Sequence, residues 1–218
     1  MAEHYGVVPK RFTKEWWPYF WMYYKWHTIG IAAALVLIVF TIHQCAVQPQ
    51  YDFTVTYAGH QFFAQEQTDS LVADWNSRIG DVDGNGESSV FFQTLSYTDT
   101  SGSEEYDTAL DSKLDMSMYD EGSYIYIVDS KRLMRMLNNS YRDDVYAHTY
   151  DWTDADESRL YMVDGEPYAV SLADSSYFKD NSYISDDMYL LMKRNYKEGE
   201  LEQAAYNESV KLAQFLVK

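Results

Sequence analysis

An uncharged apolar run from Thr28 to Val47 constrains this chain more than any other feature, because a run of this length can cross a membrane. It reads TIGIAAALVLIVFTIHQCAV and contains no Asp, Glu, Lys or Arg. A helix of about twenty residues, each rising about 1.5 Å, is roughly 30 Å long, which matches the hydrocarbon core of a bilayer. We therefore predict a transmembrane helix over residues 28–47.

Charge is distributed unevenly on the two sides of this run. Residues 1–27 carry a net charge of +2 and residues 48–218 carry −19, which together give the −17 of the whole chain. No Lys or Arg lies between Lys25 and Arg78. Because positively charged flanks of a span stay in the cytoplasm, we predict a single-pass protein of the cell membrane. Its N-terminus is expected in the cytoplasm and its C-terminal domain outside the cell.

Three other interpretations of the run compete with a retained anchor. A cleaved signal peptide needs small residues at its cleavage site, and residues 43–48 offer a poor one. A lipoprotein needs Gly, Ala or Ser before its cysteine, whereas Gln44 precedes Cys45. A buried core helix is disfavoured by the apolar length and by the charged and aromatic flanks. We therefore expect the helix to be retained.

An aromatic cluster from Trp16 to His27 leads into the run. Trp and Tyr favour the headgroup layer, where an apolar ring and a polar N–H or O–H both find partners. Pro18 suits the first turn of a helix. We predict that residues 1–27 form a cytoplasmic and interfacial segment with a helical lead-in over residues 17–27. The cluster is either a membrane belt or a docking face for another membrane protein.

The part beyond the run has the size of one ordinary domain. A short tether, residues 48–50, would connect it to the span, and residues 51–218 would form an acidic extracellular domain. The chain's single cysteine excludes an internal disulfide framework. A net charge of −19 disfavours nucleic acid, whose phosphates would be repelled. The 21 tyrosines are expected mainly as half-buried sheet residues, with stacking platforms for sugars as the alternative.

Hydrophobic periodicity predicts alternating strands and helices in this domain. The alternation favours an α/β fold with one mostly parallel sheet and helices packed on its faces. Strands are predicted at residues 51–58, 88–98, 122–128, 160–163, 168–172 and 188–193, and helices at about 62–79, 104–119, from 129 or 130 onward, and 199–217. Residues 164–167 read Asp-Gly-Glu-Pro, which predicts a hairpin between the fourth and fifth strands.

One segment carries recognisable chemistry, the loop DVDGNGE at residues 81–87. Asp81, Asp83 and Asn85 place oxygen side chains at alternate positions, Gly86 permits a sharp turn, and Glu87 supplies the next ligand position. Calcium prefers six to eight hard oxygens, so we predict a structural calcium site formed by Asp81, Asp83, Asn85 and Glu87.

This loop departs from an EF-hand at its twelfth position, where Phe92 replaces the bidentate Glu. A distant acid would have to complete the metal shell. Asp99, Asp107, Asp111 and the cluster at residues 151–157 are the candidates, and the sequence does not rank them. The alternative is an Asp-Gly-Asn-Gly turn that needs no metal.

No motif in the chain indicates catalysis. The sequence has no H-E-x-x-H, G-x-S-x-G, P-loop or G-x-G-x-x-G. Its only cysteine lies at the membrane, and carboxylates are so plentiful that any pair is uninformative. A pocket that joins His148 to paired acids would be needed to support a hydrolase. We therefore expect no enzymatic activity.

Four dispersed segments resemble a group of uncharacterised membrane-anchored proteins of Gram-positive bacteria. They are YYKWHTI at residues 23–29, the DxDGNGE loop, SYIYIVD at residues 123–129, and MYLLMKR at residues 188–194 before a terminal helix. The outer domain also resembles one lobe of the type 2 extracellular solute-binding proteins. This resemblance implies an anchored α/β domain outside the cell.

The sequence favours a non-enzymatic, membrane-tethered extracellular interaction module, such as an accessory subunit of a membrane complex. The short tether and the large aromatic lead-in are the features that motivate this expectation. The alternative is a membrane-anchored receptor for a small solute or sugar, with its ligand at the carboxyl ends of the parallel strands.

Overall fold

The computed structural model describes residues 9–46, 50–181 and 187–218, and it divides into two units, residues 1–49 and 50–218. The first unit contains one helix, α1 (Trp16–Ala46). Its segment Trp16–His43 is long and apolar enough to cross a membrane, and none of it is buried within the protein. The end of the predicted span at Val47 and most of the predicted tether lie outside the described residues.

The aromatic lead-in is helical, as the sequence predicts. Rings four residues apart lie close together, with centroid distances of 4.8 Å for Trp16–Phe20, 4.9 Å for Tyr19–Tyr23 and 5.5 Å for Phe20–Tyr24. Residues at this spacing share one face of a helix. The helix therefore runs without a break from the aromatic cluster into the apolar run.

The second unit is an α/β domain. Its strands are β1 (Phe53–Gly59), β2 (Val90–Ser96), β3 (Ser123–Asp129), β4 (Leu160–Val163), β5 (Glu166–Ser171) and β6 (Met188–Met192). Its helices are α2 (Gln65–Asn76), α3 (Glu104–Ser117), α4 (Ser130–Leu137), α5 (Arg142–Val145), α6 (Ser176–Asn181) and α7 (Glu200–Leu216). The sequence predicted every strand and the long helices, but it missed α5 and α6.

The six strands form one mixed sheet in the order β2-β1-β3-β6-β5-β4. β2, β1 and β3 are parallel, whereas β6 is antiparallel to β3, β5 to β6, and β4 to β5. The prediction of a mostly parallel sheet is therefore wrong. Helical crossovers produce parallel neighbours only as far as β3; after that a tight hairpin joins β4 to β5, and such a turn requires antiparallel strands.

The β4–β5 hairpin is confirmed, and its turn chemistry explains it. Asp164 and Gly165 both have positive φ angles, 54° and 88°. Two consecutive positive φ angles define the tight turn whose twist matches that of paired strands, and Asp-Gly is a favoured sequence for it.

Helices cover both faces of the sheet and create two hydrophobic clusters. On one face α2 and α7 contribute Trp75 and Leu212, which pack with Ile125 of β3. On the other face α3 and α4 contribute Leu114 and Leu133. From Ile125 to Val128, successive residues of β3 enter the two clusters in turn, so this strand is buried on both sides, as its nearly continuous apolar sequence predicts.

A pair of identical substitutions tests this packing. Leu190 of β6 is fully buried, whereas Leu201 of α7 is 59% exposed. We expect Leu190→Ala to lower the free energy of unfolding by about 2–5 kcal/mol, because it removes buried methyl groups and leaves a cavity. Leu201→Ala should change it by less than about 0.5 kcal/mol. Urea unfolding of residues 50–218 measures both, and equal losses would contradict the assigned core.

Candidate functional site

The acidic loop before β2 is folded around its own carboxylates. The backbone N–H groups of Gly84 and Gly86 donate to the two carboxylate oxygens of Asp81, at 2.7 and 2.8 Å. The N–H of Asn85 donates to Asp83 at 3.0 Å. Gly84 and Gly86 have φ angles of 74° and 95°, a region that favours glycine. The loop is therefore closed by hydrogen bonds from its backbone to its acids.

Asp52, immediately before β1, joins this loop. One carboxylate oxygen from each of Asp52, Asp81 and Asp83 lies within 4.8 Å of the others. The Asp52 carboxylate accepts hydrogen bonds from the N–H groups of Val82 and Ser89, at 3.1 and 2.7 Å. We call these three residues the acidic triad. Because β1 and β2 are parallel neighbours, the residue before β1 and the loop before β2 meet at the same end of the two strands.

The other two predicted ligands, Asn85 and Glu87, differ in what they contribute to the loop. The Asn85 side chain donates to Asp83 at 2.9 Å and accepts from the N–H of Glu87 at 2.8 Å. The Glu87 carboxylate is exposed and does not belong to the triad. Asn85 thus completes the loop's internal hydrogen bonding, while Glu87 contributes its backbone.

The distant acids named from the sequence are engaged elsewhere. Asp99 pairs with Arg132, and Asp107 accepts hydrogen bonds from the N–H groups of Thr98 and Asp99. Asp111 pairs with Arg135. Within the described residues, the acid that joins the loop is Asp52, which sequence reasoning missed.

The chemistry of the triad fits a hard divalent cation. Three carboxylates supply oxygen ligands, and each oxygen keeps a second lone pair after it accepts one N–H. Hydrogen bonds from the N–H groups of Gly86 and Gly84 lower the pKa of Asp81, which favours its ionised form. The same hydrogen bonds hold the loop without a metal, so the geometry also fits the alternative of a bare turn.

An ion cluster lies at the carboxyl ends of the parallel strands. The Arg132 side chain is 3% exposed and donates to both oxygens of Asp99, at 2.6 and 2.8 Å, and to Asp129 at 2.9 Å. Its guanidinium carbon lies 3.7 Å from the centre of the Tyr97 ring. His60 Nε2 lies 3.2 Å from Asp99. The edge where a ligand was expected therefore carries internal ion pairs.

A concavity lies at the opposite end of these strands, where β3 begins and β6 ends. Its volume is about 650 Å³. Five tyrosines line it, and we call it the tyrosine groove: Tyr119, Tyr124, Tyr141, Tyr146 and Tyr196. Tyr124 and Tyr146 are buried, as expected for sheet-packing tyrosines, whereas the other three are exposed. Nothing in the sequence indicates that these rings share one surface.

Basic residues cluster in the same groove. Arg142, Lys193, Arg194 and Lys197 line it, together with two acids, Glu121 and Asp144. Lys193 is buried and donates from Nζ to the backbone carbonyls of Met118 and Asp120. Burial lowers the pKa of the Lys193 amine. The groove thus carries local positive charge in a strongly acidic domain.

The surroundings of His148 offer little support for a hydrolase. Its ring stacks on Tyr150, with a centroid distance of 5.0 Å, and packs against Tyr168 at 4.8 Å. Its Nδ1 lies 3.8 Å from a carboxylate oxygen of Glu166. Among the described residues, no group of three metal-binding side chains includes His148 or the acids at residues 151–157.

Comparison with known proteins returned no relative: no family model, no curated protein and no solved structure matches this chain. The molecule is therefore defined by its own architecture, an N-terminal apolar helix and an α/β domain with a six-stranded mixed sheet. Three features of the domain bear on its function: the acidic triad, the ion cluster and the tyrosine groove.

The ion cluster has a direct stability test. We expect Asp99→Asn to lower the free energy of unfolding by about 2 kcal/mol near neutral pH, because the buried Arg132 would lose its charged partner at this position. Asn tolerates the positive φ of residue 99, so the backbone should not be strained. Lys131→Gln, which removes a 67% exposed partner of Asp99, should cost less than about 0.5 kcal/mol.

The pH dependence of this difference has a definite sign. Hydrogen bonds from Arg132 and Lys131 lower the pKa of Asp99 in the folded protein. Its contribution is therefore present above the pKa of the unfolded chain, about 3.9, and is lost as the pH falls towards the folded value. Urea unfolding at several pH values should show the difference between the native protein and Asp99→Asn shrinking below about pH 4. A difference that grows with acidity would refute the assignment.

Proposed function

We propose that this protein is a non-enzymatic, membrane-tethered extracellular interaction module that binds a protein partner through the tyrosine groove. The observation that carries this proposal is the exposure of the groove's rim. Tyr119, Tyr141 and Tyr196 are 85%, 66% and 58% exposed. Tyr and Arg are enriched among the residues that dominate binding at protein interfaces, and both line this groove.

The anchor gives the proposal its cellular setting. In this account α1 retains the protein in the cell membrane, with the basic N-terminus in the cytoplasm and the acidic domain outside. A tether of only residues 48–50 would keep the domain near the membrane surface. A partner in the same membrane suits this placement, so an accessory subunit of a membrane complex is the form we favour.

A second candidate is the membrane-anchored receptor for a small solute or sugar. The specific observation in its favour is the groove's volume of about 650 Å³, which falls within the range of small-molecule sites. The resemblance to one lobe of a solute-binding protein is an argument for this candidate. Its ligand would lie at the edge where β3 begins, because the carboxyl ends of β1, β2 and β3 hold the ion cluster.

Site-specific photo-crosslinking in intact cells distinguishes the two candidates. We expect p-benzoylphenylalanine at position 141 or 196 to yield a discrete adduct with another protein, because both positions lie on the groove's exposed rim. The matched control is position 106, where Tyr106 is 50% exposed on α3, outside the groove. The absence of a protein adduct at 141 and 196, with thermal stabilisation of the purified protein by a small sugar, would favour the receptor.

We also propose that the acidic loop binds calcium in a structural role, with Asp52, Asp81 and Asp83 as carboxylate ligands and Asn85 and Glu87 as further oxygen donors. Such an ion would join the entry to β1 to the entry to β2. It would offset the repulsion among the three carboxylates, so calcium should stabilise the folded domain.

Calcium titration into chelator-treated residues 50–218 tests the metal site. We expect heat of binding and a rise of several degrees in melting temperature at millimolar calcium. Asp83→Asn, which keeps a hydrogen-bond acceptor but removes a charge, should abolish both effects. Asp154→Asn, at an exposed acid distant in sequence from the loop, should leave them unchanged. No heat and no thermal shift with the native sequence would support the bare turn.

A further inference from the structure

We infer that the tyrosine groove binds an acidic peptide segment of its partner, with a carboxylate of that segment held by the guanidinium of Arg194. A neighbouring aromatic or aliphatic residue of the segment would pack among the tyrosines. This inference rests on the proposed function, since it names the chemistry of the partner that the groove would bind.

The distribution of charge supports an anionic occupant. Residues 48–218 carry a net charge of −19, yet the groove is lined by four basic and two acidic side chains. Local positive charge in a domain of opposite overall sign favours an acidic segment over a basic one. The overall negative charge would repel acidic chains elsewhere on the surface, which favours specificity for the groove.

Arg194 is the basic residue best placed to bind a ligand. Its backbone N–H donates to the carbonyl of Val145 at 2.9 Å, and its Nε donates to the carbonyl of Tyr146 at 2.9 Å. The first bond holds the backbone of Arg194, and the second holds its guanidinium at Nε. Within the part of the chain that the structure describes, no hydrogen bond or ion pair engages its two terminal nitrogens.

The other cations of the groove are already occupied. Lys197 pairs with Glu121, and Arg142 pairs with Asp143 and Asp164. Lys193 donates to backbone carbonyls. Among these four basic residues, therefore, Arg194 is the one whose charge has no carboxylate partner in the described part of the chain and is not buried. A guanidinium with free terminal nitrogens is suited to a carboxylate, which can accept from it in a charge-assisted hydrogen bond.

The tyrosines provide the apolar part of the site. Tyr146 supplies the carbonyl that holds Arg194, and its buried ring lines the groove together with the exposed ring of Tyr196. An acidic residue flanked by an aromatic or aliphatic one would satisfy both the guanidinium and the rings. A segment with acids alone would leave the rings exposed, and a purely apolar segment would leave the guanidinium without a partner.

Selection from a displayed library of random peptides tests this inference. The target is the full-length protein in lipid nanodiscs, and bound peptides are retained when Tyr196→Ala weakens their binding. We expect enrichment of Asp or Glu next to an aromatic or aliphatic residue. For a selected synthetic peptide, Arg194→Gln should raise the Kd about 10- to 100-fold, the effect expected for a lost charge-assisted hydrogen bond. Arg135→Gln on α4, outside the groove, should leave the Kd unchanged.

Changing the peptide instead of the protein gives a second test, which does not depend on how well the Arg194→Gln variant folds. Replacing the peptide's acid by its amide should weaken binding to the native protein by a similar factor. It should cause little further loss in Arg194→Gln, because both changes remove the same contact. Arg194→Lys, which keeps the charge but loses the planar fork, should give an intermediate Kd.

The outcomes separate this inference from the proposed function. Groove-directed peptides without acidic enrichment, or additive losses from the two changes, would overturn the acidic-segment inference and leave the interaction surface standing. Recovery of no peptide that depends on Tyr196 would count against both.

Discussion

The burial of β3 on both faces is the constraint on which the rest of the domain depends. This strand pairs with β1 in parallel and with β6 in antiparallel fashion, and its alternate side chains enter the two hydrophobic clusters. It therefore connects the parallel half of the sheet to the antiparallel half. Residues at its two ends belong to two different features: Tyr124 lines the tyrosine groove, and Asp129 binds Arg132 in the ion cluster.

The direction of β6 determines where the groove forms. Because β6 is antiparallel to β3, its last residues reach the edge at which β3 begins, and Ile125 pairs with Met192. Arg194 and Tyr196 therefore follow β6 into the same region as Tyr119 and Tyr124. A parallel β6 would have carried them to the opposite edge, beside His60 and the ion cluster. The candidate binding surface is thus a consequence of one strand's orientation.

This dependence explains what the sequence could and could not predict. Local patterns predicted the strands, the long helices and the β4–β5 hairpin, because periodicity and turn chemistry depend on neighbouring residues. Strand order and direction depend on contacts distant in sequence, so the sheet was wrongly expected to be mostly parallel. Asp52 was missed for the same reason, since it approaches the acidic loop only through the pairing of β1 with β2. The residue types of the loop itself were identified because they lie next to one another in the chain.

In the proposed function, the tyrosine groove is the surface through which the anchored domain binds its partner. Hydrogen-exchange mass spectrometry tests it most directly, by comparing the protein in native membranes with the purified protein in nanodiscs. We expect slower exchange in native membranes for three segments together, residues 118–124, 139–146 and 193–197, which are adjacent in the fold but separate in sequence. Unchanged exchange in these segments, with protection confined to another surface such as α2, would contradict it.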